Sequence, residues 1–156
     1  MYKRIVVALD GSAAAEQILP HVEVLAERFG STLVLLRATP RAEPGLVGEA
    51  VLMSGGALDR AAIMDAPRRE AADYLAGLAD RLRGRGLAID TAQPEGEPAH
   101  VIVQHLRQEG ADLLAMTTHG RGGLGRVVFG SVAESVLRQA PCPVLLVRIN
   151  PEGSGR

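Results

Sequence analysis

"LLAMTTHGRGGLGRVVFGSVAES", residues 113–135, decides how this chain folds. An apolar run with the length of a buried strand gives way to a glycine-rich loop. A Gly-Ser pair then opens a segment whose apolar residues recur at helical spacing. A strand, a tight loop and a helix in that order are the first part of a βαβ unit, and a strand apolar throughout belongs inside a parallel sheet.

The same alternation continues on either side. "KRIVVAL" (3–9) is a second apolar run, ended by "DGS". In the helix expected after Ser12, residues Ile18, Val22, Leu25 and Phe29 fall on one face, Pro20 should kink it or leave one hydrogen bond unmade, and Gly30 closes it. "STLVLLRA" (31–38) follows as a strand. The periodicity is weak over 39–66, which suggests a variable linker with a short helix near 57–64. A helix is expected from Pro67, with Ala71, Tyr74, Leu75, Leu78 and Leu82 on one side, ending at "GRG" (84–86). Strand 87–94, helix 98–110 with Pro98 in its first turn, and strand 111–118 come next. The helix from Ser131 should turn Val132, Val136, Leu137 and Ala140 inward, and 141–149 is the last strand. The pattern predicts one α/β domain over 1–150 and a polar tail at 151–156. Its sheet should be doubly wound, parallel and five-stranded, in the order 3-2-1-4-5. In that order strands one and four are neighbours whose outgoing loops diverge. A ligand crevice is expected there, with Asp10 on one wall and the 118–131 loop on the other.

Composition narrows the function. A net charge of −1 argues against a basic nucleic-acid face. Cys142 is the only cysteine, so neither a disulfide nor a cysteine metal cluster forms within the chain. No run reaches the roughly 18 apolar residues of a membrane span, and the N-terminus lacks signal-peptide character, so a cytoplasmic protein without membrane partners is expected. His100 and His105 are not on one helical face and His21 is isolated, so no metal site is expected. Glu16 and Glu134 read as solvated helix residues.

Three phosphate-binding signatures can be laid on the loop. Gly120, Gly122 and Gly125 satisfy G-x-G-x-x-G, but they do not lead directly into a helix, and the acidic residue expected about 20 positions on is missing. Gly125, Gly130 and Ser131 approximate a P-loop without its lysine, and Lys3 is the chain's one lysine. The third reading is a split anion site. Gly120 opens the loop, and Gly130, Ser131 and Val132 form a helix N-terminus with unpaired amides and the positive end of a dipole. Arg121 and Arg126 add charge at the rim. Against it stands a plain connector, with Ser131 as an ordinary N-cap and Asp10 as an Asx turn.

"HGRGGLGR…GSVAESVLRQAPCPVLLVR" and "RIVVALDGS" together resemble the universal stress protein family, over essentially the whole chain except 39–66. Its ATP-binding members carry G-x2-G-x9-G-[ST]. Here Gly120, Gly130 and Ser131 match, while Thr117 stands in place of the first glycine. The resemblance implies an adenine nucleotide alpha hydrolase-like fold and an ATP site. It places Ala8 and Asp10 beside the nucleoside, Ala38 at the adenine, and Met116 and Thr117 at the ribose. His119, Gly120 and Arg121 would stand in the phosphate loop, with Gly130, Ser131 and Val132 on the phosphates. His119 is equally readable as a loop residue packing on the sheet edge. AMP or a cyclic nucleotide are alternative ligands, and Mg²⁺ could accompany ATP. The resemblance also implies a homodimer through the last strand (143–148).

No nucleophile elbow is present, and a receiver's acidic pair and lysine are missing. Without a lysine or second carboxylate in the crevice, strong catalysis is not expected, and at most slow ATP hydrolysis fits. Two readings stand beside each other: a nucleotide-binding regulatory protein of the stress response, and a nucleotide-free protein-interaction module of the same fold whose site Thr117 or the 39–66 segment closes.

Overall fold

The computed structural model describes residues 1–41, 44–57, 59–118 and 130–149. Five strands form one parallel sheet: β1 (Arg4–Ala8), β2 (Thr32–Leu36), β3 (Ala88–Ala92), β4 (Leu113–Thr118) and β5 (Val144–Arg148). Their order is β3-β2-β1-β4-β5, as the sequence predicts. β1 lies at the centre, with Val6 opposite Val34 on one side and Leu114 on the other.

Period-two alternation sorts the strand residues into two cores. Ile5, Val7, Leu33, Leu35, Leu113 and Ala115 face α1 (Leu19–Phe29) and α3 (Arg60–Arg83). Val6, Ala8, Val34, Leu36, Leu114 and Met116 face α4 (Pro98–Glu109) and α5 (Ser131–Gln139). Burial on both faces is why these strands are apolar without a break.

The helices depart from the sequence reading in four places. Pro20 does not kink α1: a 3-10 turn over Ala15–Ile18 leads in, and Pro20 falls at the second helical position, where no amide donor is needed. Phe29 is not core but 39% exposed, packed edge-on against Tyr2. The 39–66 segment carries α2 (Pro44–Met53), and α3 begins at Arg60 rather than Pro67. Asp59 starts α3 by accepting from the Ala61 amide at 2.9 Å, so Pro67 lies inside the helix at the cost of one backbone hydrogen bond. In α5, Ala133 and Val136 are buried while Leu137 is 37% exposed. Leu137 lies about 100° around the helix from Val136, beyond the stripe that meets the sheet.

At the N-terminal edge of the sheet, Asp112 accepts from the Arg4 and Lys3 amides at 2.9 and 2.6 Å, joining the start of β4 to the start of β1. These two hydrogen bonds hold its carboxyl below the usual carboxylate range. A depressed folded pKa makes the contribution complete above the unfolded value of about 4, and it is lost as pH falls through the folded value. Asp112→Asn should therefore lower stability at neutral pH and flatten its loss in acid. Urea midpoints measured against pH test this, and parallel profiles for the two proteins would remove the staple from the account.

Candidate functional site

A cavity of about 510 Å³ opens at the C-terminal ends of β1, β2 and β4. This is the switch point of the sheet: the helix that follows β1 packs on one face and the helix that follows β4 on the other. Ala8, Asp10, Ala38, Met116, Thr117, Gly130, Ser131 and Val132, all expected at the site, line it. His119, Gly120 and Arg121 lie outside the described residues, as does the rest of the glycine loop to Phe129.

Each wall has a local cause. β1 ends in a turn where Asp10 Oδ1 accepts from the Ser12 amide at 2.9 Å, an Asx turn. Gly11 takes φ +86°, a conformation that favours glycine. Ser12 Oγ then accepts from the Ala15 amide at 3.1 Å, opening the 3-10 turn. The Asx turn and the cavity wall are thus the same structure, and Asp10 serves both. On the opposite wall Gly130, not Ser131, is the N-cap of α5, and the first backbone bond runs from the Glu134 amide to the Gly130 carbonyl at 2.9 Å. The amides of Ser131, Val132 and Ala133 precede it, so they have no acceptor within the helix. All three residues line the cavity.

Gly130 has φ −62° and ψ 153°, open to any residue, and a Cβ there would meet no atom of the described residues within 4 Å. Among the described residues, neither backbone strain nor packing requires this glycine, and it lines the cavity. Thr117, in place of the family's first glycine, lines the cavity without filling it.

The sequence reading missed Arg37, Pro98 and Ile102, which also line the cavity. Arg37 had a signal: a charged residue closing an apolar strand beside the switch point. Pro98 and Ile102 looked like ordinary helix residues, and only the packing of α4 brings them there. Asp10 and Arg37 are the two charged residues among the described lining. Arg37 bonds Glu70 Oε1 at 2.9 Å and lies 5.3 Å from the Tyr74 ring centre. Burial, then the carboxylates of Glu16 and Asp10, push the Tyr74 phenol up against the opposing effect of Arg37, so it stays neutral. Glu16 is not merely solvated: it pairs with Arg81 at 2.6 Å. Among the described residues no group of three or more His, Cys, Asp or Glu is placed to hold a metal. No helix among them is long and apolar enough to cross a membrane.

Sheet order, crevice and helix N-terminus define a protein of the adenine nucleotide alpha hydrolase-like α/β class. The family model for universal stress proteins matches residues 1–148, and the chain belongs to that family. A universal stress protein of Methanocaldococcus jannaschii is 32% identical over 148 residues, covering 95% of this chain and 83% of the relative. One from Thermus aquaticus is 34% identical over 154 residues, covering 95% and 100%. Among solved structures, UspA from Lactobacillus plantarum superposes with a TM-score of 0.72 at 25% identity, covering 94% of this chain and 98% of that one. Two more distant structures share the fold. A universal stress protein in complex with cAMP has a TM-score of 0.64 at 21% identity, covering 96% and 98%. The Archaeoglobus fulgidus protein in complex with dAMP has a TM-score of 0.63 at 22% identity, covering 93% and 97%.

Proposed function

We propose that the crevice binds an adenine nucleotide, with ATP as the first candidate, and that occupancy acts as a regulatory signal in the stress response. The observation that carries this reading is the Gly130–Ala133 wall: amides without an acceptor in the helix, at one end of a cavity lined largely by apolar groups. A cavity of about 510 Å³ lies within the range of small-molecule sites. Apolar groups such as Met116 and Ile102 suit a base and sugar, and the start of α5 suits phosphate. The cAMP and dAMP complexes of proteins with this fold support the ligand class. Mg²⁺, if it accompanies ATP, would be held mainly by the phosphates and water.

Binding rather than strong turnover fits a site whose described carboxylate, Asp10, is engaged by the Ser12 amide. The nucleotide-free alternative needs a closed site, and the cavity that the described residues leave beside Thr117 and Gly130 weighs against it.

Gly130→Val tests the site. Its backbone is open to a side chain and the Cβ has room, so the melting temperature should stay within a few degrees. ATP affinity should fall by at least about tenfold, because the added methyl groups enter the phosphate end. Unchanged affinity by calorimetric titration would place phosphate elsewhere.

We further propose a homodimer through β5. This strand is one edge of the sheet, and its Val144, Leu145, Leu146 and Val147 are only half-buried. The Ile149 amide donates to the Thr118 carbonyl, so by period two the Val144 and Leu146 amides point away from β4, toward a partner strand. Analytical ultracentrifugation should give a dimer, and Leu146→Lys should give a folded monomer, since its stem keeps the packing while the ammonium meets its own copy. A monomeric parent protein would end the proposal.

A further inference from the structure

Arg37 closes β2 and is the cation among the described cavity-lining residues, yet three contacts hold its guanidinium in place. Glu70 of α3 takes it at 2.9 Å, and the Tyr74 ring, also on α3, lies 5.3 Å away. The third contact is the Asp10 turn itself. A Cβ on Gly11 would stand 2.8 Å from the guanidinium carbon, with both terminal nitrogens within 3.0 Å. Glycine is favoured at position 11 by its φ of +86°, and a side chain there would also have to displace the Arg37 guanidinium.

The ion pair does not explain the arrangement. Glu70 is 72% exposed while Arg37 is 16% exposed, so solvent screens the attraction and it contributes little. What a guanidinium offers here is shape: a flat group that lies against an aromatic face and a backbone together. The turn it supports presents Leu9 and Asp10 to the cavity, and the Ser12 amide closes it on Asp10.

We infer that Arg37 is a positioning residue: its guanidinium, held by Glu70 and Tyr74, is the surface on which the Asp10–Gly11–Ser12 turn rests and so sets one wall of the crevice. It connects α3 to the site, with Glu70 on the exposed side as the point where that connection reaches solvent. The effect on ATP rests on the nucleotide reading, whereas the effect on the turn does not.

The test uses ¹⁵N-labelled full-length protein without ligand, in Arg37→Ala, Arg37→Lys and Glu70→Gln forms, followed by titration of each with ATP. Arg37→Ala should move the Gly11 and Ser12 amide resonances and speed hydrogen exchange of the Ser12 amide, with the β4 and α5 signals unmoved. Arg37→Lys should do the same, because charge without the flat group cannot support the turn. Glu70→Gln, on an exposed side chain, should give a smaller change in the same direction. ATP affinity should fall in the same order, on the order of tenfold for Arg37→Ala. In an Asp10→Ala background that further loss should vanish, because both residues act through one turn. Unmoved Gly11 and Ser12 signals in Arg37→Ala, or full rescue by lysine, would overturn the inference. A disturbed turn in a protein that binds no ATP would uphold the placement of Arg37 and reject the nucleotide reading instead.

Discussion

The parallel pairing of β1 with β4 is the contact on which the rest depends. Ile5, Val6 and Val7 lie opposite Leu113, Leu114 and Ala115, with no connection running directly between the two strands. The chain reaches β4 only after building β2 and β3 on the other side of β1. The pairing therefore has to be secured by burial on both faces and by the Asp112 staple at its foot. Because α1 and α5 pack on opposite faces of the sheet, the crevice forms at the ends of β1 and β4 between them. Fold and site are one consequence of one strand order.

The two walls of that crevice are made differently. Toward α5 the chemistry is mostly backbone: amides at a helix start and a glycine that leaves space. Toward β1 it is a shaped turn held by side chains, with Asp10 inside it and Arg37 beneath. A wall of amides suits an anion of any identity, while a shaped turn can discriminate among what the anion carries. In the proposed reading the site divides into a general phosphate end and a selective end, and the selective end is the one that reaches α3.

Sheet order was legible because β1, β2 and β4 are apolar runs buried on both faces and the helices α1, α3, α4 and α5 carry buried apolar residues at helical spacing, signals that a sequence holds locally. Asp10, Gly130 and Ser131 were legible for a related reason: switch-point loops advertise themselves through glycine and capping residues. What escaped depends on packing. α2 is nearly uniform in hydropathy, so no period marks it, and Leu46, Leu52 and Met53 are left exposed along it. Pro67 looked like a helix start because proline favours first turns, and the Asp59 cap eight residues earlier outweighed it. Arg37 looked like a strand end, and only the approach of α3 gives it Glu70 and Tyr74.

The most direct test of the nucleotide site is to see what leaves the purified protein on denaturation and whether it returns. With no tryptophan and two tyrosines, the chain absorbs weakly, so a bound adenine would dominate its ultraviolet spectrum. Chromatography of the released material, followed by titration of the emptied protein, should find an adenine nucleotide that rebinds saturably at one site per chain. No released nucleotide, together with no rebinding across millimolar ATP, would contradict the account and leave the fold as a protein-interaction module.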